Sequence, residues 1–147
     1  MKTNPRRRAR ELVLQGLYER QLAGSPAATI AGDLAASTGY QRADQPYFDA
    51  LWTGVVGDYD TLLARLAPLL DRSAAGLSPI ERSVLIIGAW ELAHRPEIPY
   101  RVVINEAVEL AKDYGGTDGH KFVNGVLDKF AADVRGLEIA ALARERG

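Results

Sequence analysis

The sequence has no cysteine, one methionine and two histidines among its 147 residues. Without cysteine, a disulfide framework, a thiolate zinc site and a cysteine nucleophile are all excluded. Long apolar runs are missing too. The longest stretch without a charged side chain, Gln21 to Gly32, has 12 residues and is broken by Pro26, so no segment reads as a membrane span. The start, Met1-Lys2-Thr3-Asn4-Pro5-Arg6, has no apolar core behind its charges and is not a secretory signal, so a cytoplasmic protein is expected. No stretch alternates apolar and polar residues in the period of a strand. What is present, 47% hydrophobic and 25% charged residues, is the balance of an ordinary globular domain, long enough to bury a sizeable core without metal or disulfide staples.

The net charge of −1 conceals an asymmetry. Lys2, Arg6, Arg7, Arg8 and Arg10 put five positive charges and no acid into the first ten residues, leaving 13 basic and 19 acidic side chains for the rest. A basic arm on an acidic body points to binding of nucleic acid or another acidic surface. Arg6 and Arg10 are four residues apart and share a helix face, with Arg7 beside them. The plainer alternative is a solvated helix start.

Prolines punctuate the chain. Pro5, Pro26, Pro46 and Pro79 each open a stretch of helical periodicity, and proline suits the first helical position because its missing N–H has no intrahelical partner there. Asn4, Ser25 and Ser78 precede three of them as N-cap candidates, and Ser78-Pro79-Ile80-Glu81 fits a capping box. The pattern predicts helices over about 5–22, 26–38 (ending at Gly39), from Pro46 to a break near Gly57-Asp58, onward to a fourth helix kinked at Pro68, then 79–94, 101–114 and 118–134. The expected class is all-α with about seven helices, divided near residues 73–78.

Catalytic chemistry finds little support in the residues. His94 and His120 lack His-x-x-x-His spacing, so no metal site is expected. Gly115-Gly116-Thr117-Asp118-Gly119-His120-Lys121 lacks the phosphate-loop spacing and follows a helix, where that loop follows a strand. Serines 25, 37, 73, 78 and 83 have no neighbouring base. Binding is better supported. Arginine grips phosphate bidentately and stacks on unpaired bases. A second candidate is the start of the seventh helix, where free amides and the helix dipole attract anions. His120 and Lys121 lie there, with Asn124 a further hydrogen-bonding group and Phe122 either a stacking surface or a core residue. Asp118 fits as an N-cap, although its charge repels phosphate. Tyr18, two turns beyond Arg10, serves either a partner or the core.

Three segments in order resemble one known family. Arg6-Arg7-Arg8-Ala9-Arg10-Glu11 with Gln15-Gly16-Leu17-Tyr18 is similar to the amino terminus of the NusB transcription antitermination factors. The run from Ile98 to Lys112, including Tyr100-Arg101-Val102-Val103-Ile104-Asn105-Glu106, and the run from His120 to Lys129 resemble that family's two signature stretches. The resemblance implies two small helical bundles packed side by side, here about 1–72 and 79–136. It further implies binding of the boxA element of ribosomal RNA leaders together with NusE, a small-subunit ribosomal protein, and suppression of termination by bacterial RNA polymerase. Carried over residue by residue, the RNA contacts are Lys2, Arg6, Arg7, Arg8, Arg10, Asp118, His120, Lys121 and Phe122, and the partner contacts are Tyr18 and Glu81. No metal or cofactor is implied. A homodimer through the partner surface is the alternative assembly. A similar domain opens certain RNA cytosine methyltransferases, which continue into a catalytic domain; with 147 residues, the expectation is the stand-alone factor and not an enzyme. Residues 23–45 and 135–147 fit the family pattern least, and Arg144-Glu145-Arg146-Gly147 reads as a frayed tail.

Overall fold

Asn4 opens the first helix, α1 (Pro5–Ala23), by accepting a hydrogen bond from the Arg7 amide at 2.6 Å, with Pro5 in the first turn. The helix closes at Gly24, whose φ of 69° lies in the left-handed region that glycine enters without steric cost. The computed structural model describes residues 4–71, 73, 76–116 and 118–146. Among these, the remaining α-helices are α2 (Ala27–Ala35), α3 (Gln45–Gly57), α4 (Tyr59–Leu66), α5 (Pro79–His94), α6 (Tyr100–Tyr114), α7 (Gly119–Val134) and α8 (Gly136–Arg146), with no strand.

One cap differs from the sequence reading. Ser25 caps nothing: Pro26 stands at the N-cap of α2 without a side-chain bond, and α2 ends at Ala35 with a short 3-10 helix over Thr38–Arg42 behind it. Asp44 caps α3, accepting from the Tyr47 amide at 3.1 Å. Ser78 and Glu81 do form the reciprocal capping box, at 3.1 and 3.2 Å. Pro68 ends α4 instead of kinking it, because the chain tightens into a 3-10 turn over Ala67–Leu69.

The extra helix is α8, where the sequence reading has a tail. Two side chains explain its order. The buried Arg135 donates to the carbonyls of Leu92 (2.8 Å), Arg95 (2.9 Å) and Ile98 (3.0 Å), satisfying oxygens at and beyond the end of α5 that have no helical partner. Arg135 also pairs with Glu138 at 2.5 Å, and Glu138 accepts from the Tyr100 amide at the uncapped start of α6.

α5 is the axis of the fold. It packs against α1, α3 and α4 as well as α6 and α7, so Val84, Leu85, Ile86, Ile87, Ala89 and Leu92 are buried all round it. Apolar side chains on every face are what a central helix needs. At Gly54 of α3 the backbone comes so close to Trp90 that a Cβ would lie 2.2 Å from the indole. The α1 stripe of Ala9, Leu12, Val13, Gly16 and Leu17 is buried, and Trp52 fills the notch left by Gly16. The buried apolar residues form one continuous cluster. Three charged residues among those described, Arg10, Glu91 and Arg135, are buried as well.

Candidate functional site

The basic arm is the first turn and a half of α1, and the fold supplies each of its arginines with an acid. Arg6 lies 4.0 Å above the Tyr47 ring and 3.5 Å from Asp44. Arg7 donates through Nε and Nη2 to the two oxygens of Glu106, at 2.9 and 2.7 Å. Arg8 pairs with Glu11, one turn further along α1, at 3.1 Å. Arg10 points inward, its side chain only 4% exposed, and its Nε reaches both oxygens of Glu91 at 2.9 and 3.1 Å. Arg10 Nη1 also lies 3.5 Å from Glu106.

Two of the expected surface cations are therefore committed elsewhere. Arg10 is a buried ion-pair residue and presents no free guanidinium to a ligand, because residue 10 falls on the stripe that α1 turns toward α5. Arg7 is half-buried and held by a bidentate pair, the strongest geometry open to these groups. Arg6 and Arg8 are the more exposed pair. Lys2 lies outside the described residues.

Tyr47 ties the arm together. Arg6 and Arg95 lie over its ring at 4.0 and 5.0 Å, which is the attractive placement for a cation on an aromatic face. Its hydroxyl donates to Glu91. Burial pushes the Glu91 carboxyl above its ordinary range, opposed by the neighbouring Arg10 and by the Tyr47 hydroxyl. Glu106 moves the other way: the hydrogen bonds from Arg7 hold its carboxyl below the usual range, and partial burial opposes them.

The second patch lies at the start of α7. Asp118 stands at the N-cap position without making a side-chain cap bond, and its carboxylate is 3.7 Å from the exposed Lys121 ammonium. Phe122 is half-buried against the core and lines a cavity of about 200 Å³ with Leu69, Asp71, Lys121, Gly125, Val126 and Lys129. It is thus partly core and partly surface. His120 is half-buried in the same turn.

A groove opens beside the arm. Arg8, Glu11, Leu12, Leu14, Gln15, Tyr18, Ile80 and Tyr114 line a cavity of about 450 Å³. Tyr18 is 40% exposed there, so it is not a core residue. Glu81 lies beside Gly119, its Oε2 3.2 Å from where a Cβ would stand, so the start of α5 abuts the start of α7. The arm and the groove thus share one face at Arg8, and the groove ends at Ile80, next to Glu81 and the start of α7. Sequence reasoning missed Asp44, Tyr47, Glu91, Glu106 and Tyr114. Glu91 carried a signal, being the one acid in the apolar run from Val84 to Ala93. Glu106 stood only within a stretch quoted for the family resemblance.

Among the described residues no cluster of three metal-ligating side chains exists, and no helix is long and apolar enough to cross a membrane. What the face offers is guanidinium groups in fixed orientations beside exposed aromatic rings. Comparison with known proteins gives this arrangement a family. The model of the NusB family matches residues 7–132, from the arm through α7. The chain belongs to the NusB family. A transcription antitermination protein NusB of Thiobacillus denitrificans is 56% identical over 134 residues, covering 91% of this chain and 92% of that protein. One of the same name from Paraburkholderia phymatum is 55% identical over 141 residues, covering 96% and 97%. The solved structure of T. maritima NusB superposes with a TM-score of 0.78 at 30% identity, covering 89% of this chain and 92% of that one. NusB proteins are transcription antitermination proteins and not enzymes.

Proposed function

We propose that this NusB-family chain is a cytoplasmic transcription antitermination factor. In this reading it binds boxA RNA of ribosomal RNA leader transcripts together with NusE and helps RNA polymerase read through terminators. The observation that carries the reading is the groove beside the arm, which sets Arg8 beside the exposed rings of Tyr18 and Tyr114. Single-stranded RNA is recognised by that combination, cations for phosphates and rings for unstacked bases. The contacts fall on Arg6, Arg7 and Arg8, on Asp118, His120, Lys121 and Phe122, and on Lys2. Arg10 acts from behind, fixing α1 through Glu91. The two sub-bundles, about 1–72 and 79–136, meet where acids of α5 and α6 hold the arginines of α1, and the strand lies across that seam.

Tyr18 and Glu81 form the protein-binding side of the face. Glu81 also caps α5, so Glu81→Lys lowers stability as well as partner binding. Tyr18→Ala is the cleaner probe. A homodimer through the same groove is the competing occupant, and added NusE should dissociate it.

The test is titration of a labelled boxA RNA with and without NusE over a range of salt. Each phosphate contact to a single strand contributes about 0.7 to the slope of log affinity against log salt, so Arg6→Ala with Arg8→Ala should flatten it by at most about 1.4. NusE should tighten RNA binding, and by linkage RNA should tighten NusE binding by the same factor. Equal RNA affinity with and without NusE, or an unchanged slope in the double variant, refutes the reading.

A further inference from the structure

Glu106 reaches only part of the Arg7 guanidinium. Its oxygens accept from Nε and Nη2, which is one edge of the planar fork. The outer edge, Nη1 with the second N–H of Nη2, has no acceptor among the described residues and is not sealed from solvent. A guanidinium has five N–H donors, and two parallel donors on one edge match two oxygens of a phosphate. The carboxylate is fixed in turn from inside. Arg10 Nη1 stands 3.5 Å from Glu106, while Arg10 itself is locked on the buried Glu91 by two short contacts. A relay of charges thus runs from the core to the surface, and Arg7 is its last member.

We infer that Glu106 is a positioning residue for phosphate recognition, holding the Arg7 guanidinium by one edge so that the other edge faces the RNA backbone. The inference rests on the RNA-binding reading above. Glu106 touches no RNA; it lowers the conformational cost of placing a flexible cation, which is the gain that preorganisation brings to binding. Bulk electrostatics predicts the opposite sign, since removing an acid beside a polyanion strengthens attraction.

The experiment uses fluorescein-labelled boxA RNA and a scrambled strand of equal length, titrated against the full chain and its variants. Glu106→Gln should weaken boxA binding about five- to tenfold although it removes a negative charge, roughly the net worth of one ordinary hydrogen bond. Arg7→Ala should weaken it comparably, and the pair of substitutions together should be no worse than Arg7→Ala alone. Arg7→Lys, which keeps a charge for Glu106 but has no second edge, should bind like Arg7→Ala, and it answers the question should Glu106→Gln fail to fold. Tighter or unchanged binding by Glu106→Gln overturns the inference. So does an equal loss in the Arg7→Ala background, which marks a merely structural role, and so does wild-type affinity in Arg7→Lys. A wild-type chain that does not distinguish boxA RNA from the scrambled strand refutes the RNA reading itself. A wild-type chain that does so, and is indifferent to Arg7→Ala, refutes only the inference.

Discussion

Replacing Glu91 by Gln should destabilise the fold more than any substitution on the surface of the arm. The Arg10 and Glu91 side chains are 4% and 1% exposed, and their pair is closed by the Tyr47 hydroxyl. Solvent barely reaches either charge, so severing the pair leaves an ionised guanidinium in the core without its main partner. A buried pair broken from one side costs about 3–5 kcal/mol. For a domain of this size each kcal/mol lowers Tm by roughly 2–4 °C, so a fall of about 10 °C is expected. With a urea slope of about 2 kcal/mol/M, the midpoint should drop by about 2 M. Arg10→Met alone should cost a similar amount, because Glu91 then lacks its counter-ion.

The decisive comparison is the joint replacement. Arg10→Met with Glu91→Leu removes both charges and refills the space, a change that is often neutral for buried pairs. It leaves the Tyr47 hydroxyl without its acceptor, at about 1–3 kcal/mol, so Tyr47→Phe belongs in the same variant. The triple variant should be more stable than either single charge deletion. Urea unfolding followed by tryptophan fluorescence measures all of these. Single deletions costing under about 1 kcal/mol, or joint losses that simply add, refute the claim that the two charges are coupled in a dry interior.

Three further expectations use other parts of the molecule. Ser78→Ala removes half of the capping box at α5 and should cost about 1 kcal/mol by urea unfolding; no loss means that Glu81 alone satisfies that helix start. Gly54→Ala sets a methyl group 2.2 Å from the Trp90 indole and should cost about 1–3 kcal/mol with a change in tryptophan emission, whereas an unshifted midpoint contradicts the close packing of α3 on α5. Glu106 has a folded-state carboxyl pKa below its ordinary value, so it contributes stability at pH above the ordinary glutamate range and loses it as pH falls through the folded value. The stability gap between wild type and Glu106→Gln should accordingly be wide at neutral pH and narrow in acid, and a gap that widens in acid reverses the sign of the argument.

The helices were legible because their signals are local. Proline at a helix start, a serine three residues before a glutamate and a 3.6-residue apolar stripe act within a few positions, and α5 and α6 begin and end within a residue of where those signals put them. The order of α8 escaped because its causes are distant. Arg135 and Glu138 are held by carbonyls and an amide some 40 residues away, and no local pattern announces that.

The charges of the arm show the same division more sharply. Four arginines in five positions read as an unneutralised patch, yet Glu106 and Glu91 arrive from 99 and 81 residues away to pair with Arg7 and Arg10, and Asp44 arrives from 38 to pair with Arg6. Net charge is therefore the wrong quantity for this face. A patch whose cations are matched by carboxylates attracts a polyanion weakly at a distance, since the paired fields cancel beyond about a Debye length of 8–10 Å. At contact the cancellation ends, because each guanidinium has more donors than one carboxylate can occupy. On the proposed reading, such a face should capture RNA of any sequence slowly and hold firmly only a strand whose bases also meet the exposed rings once its phosphates reach the open edges. Discrimination between boxA and scrambled RNA should then appear in the dissociation rate, with association rates nearly equal, which stopped-flow measurement on the two strands would read directly.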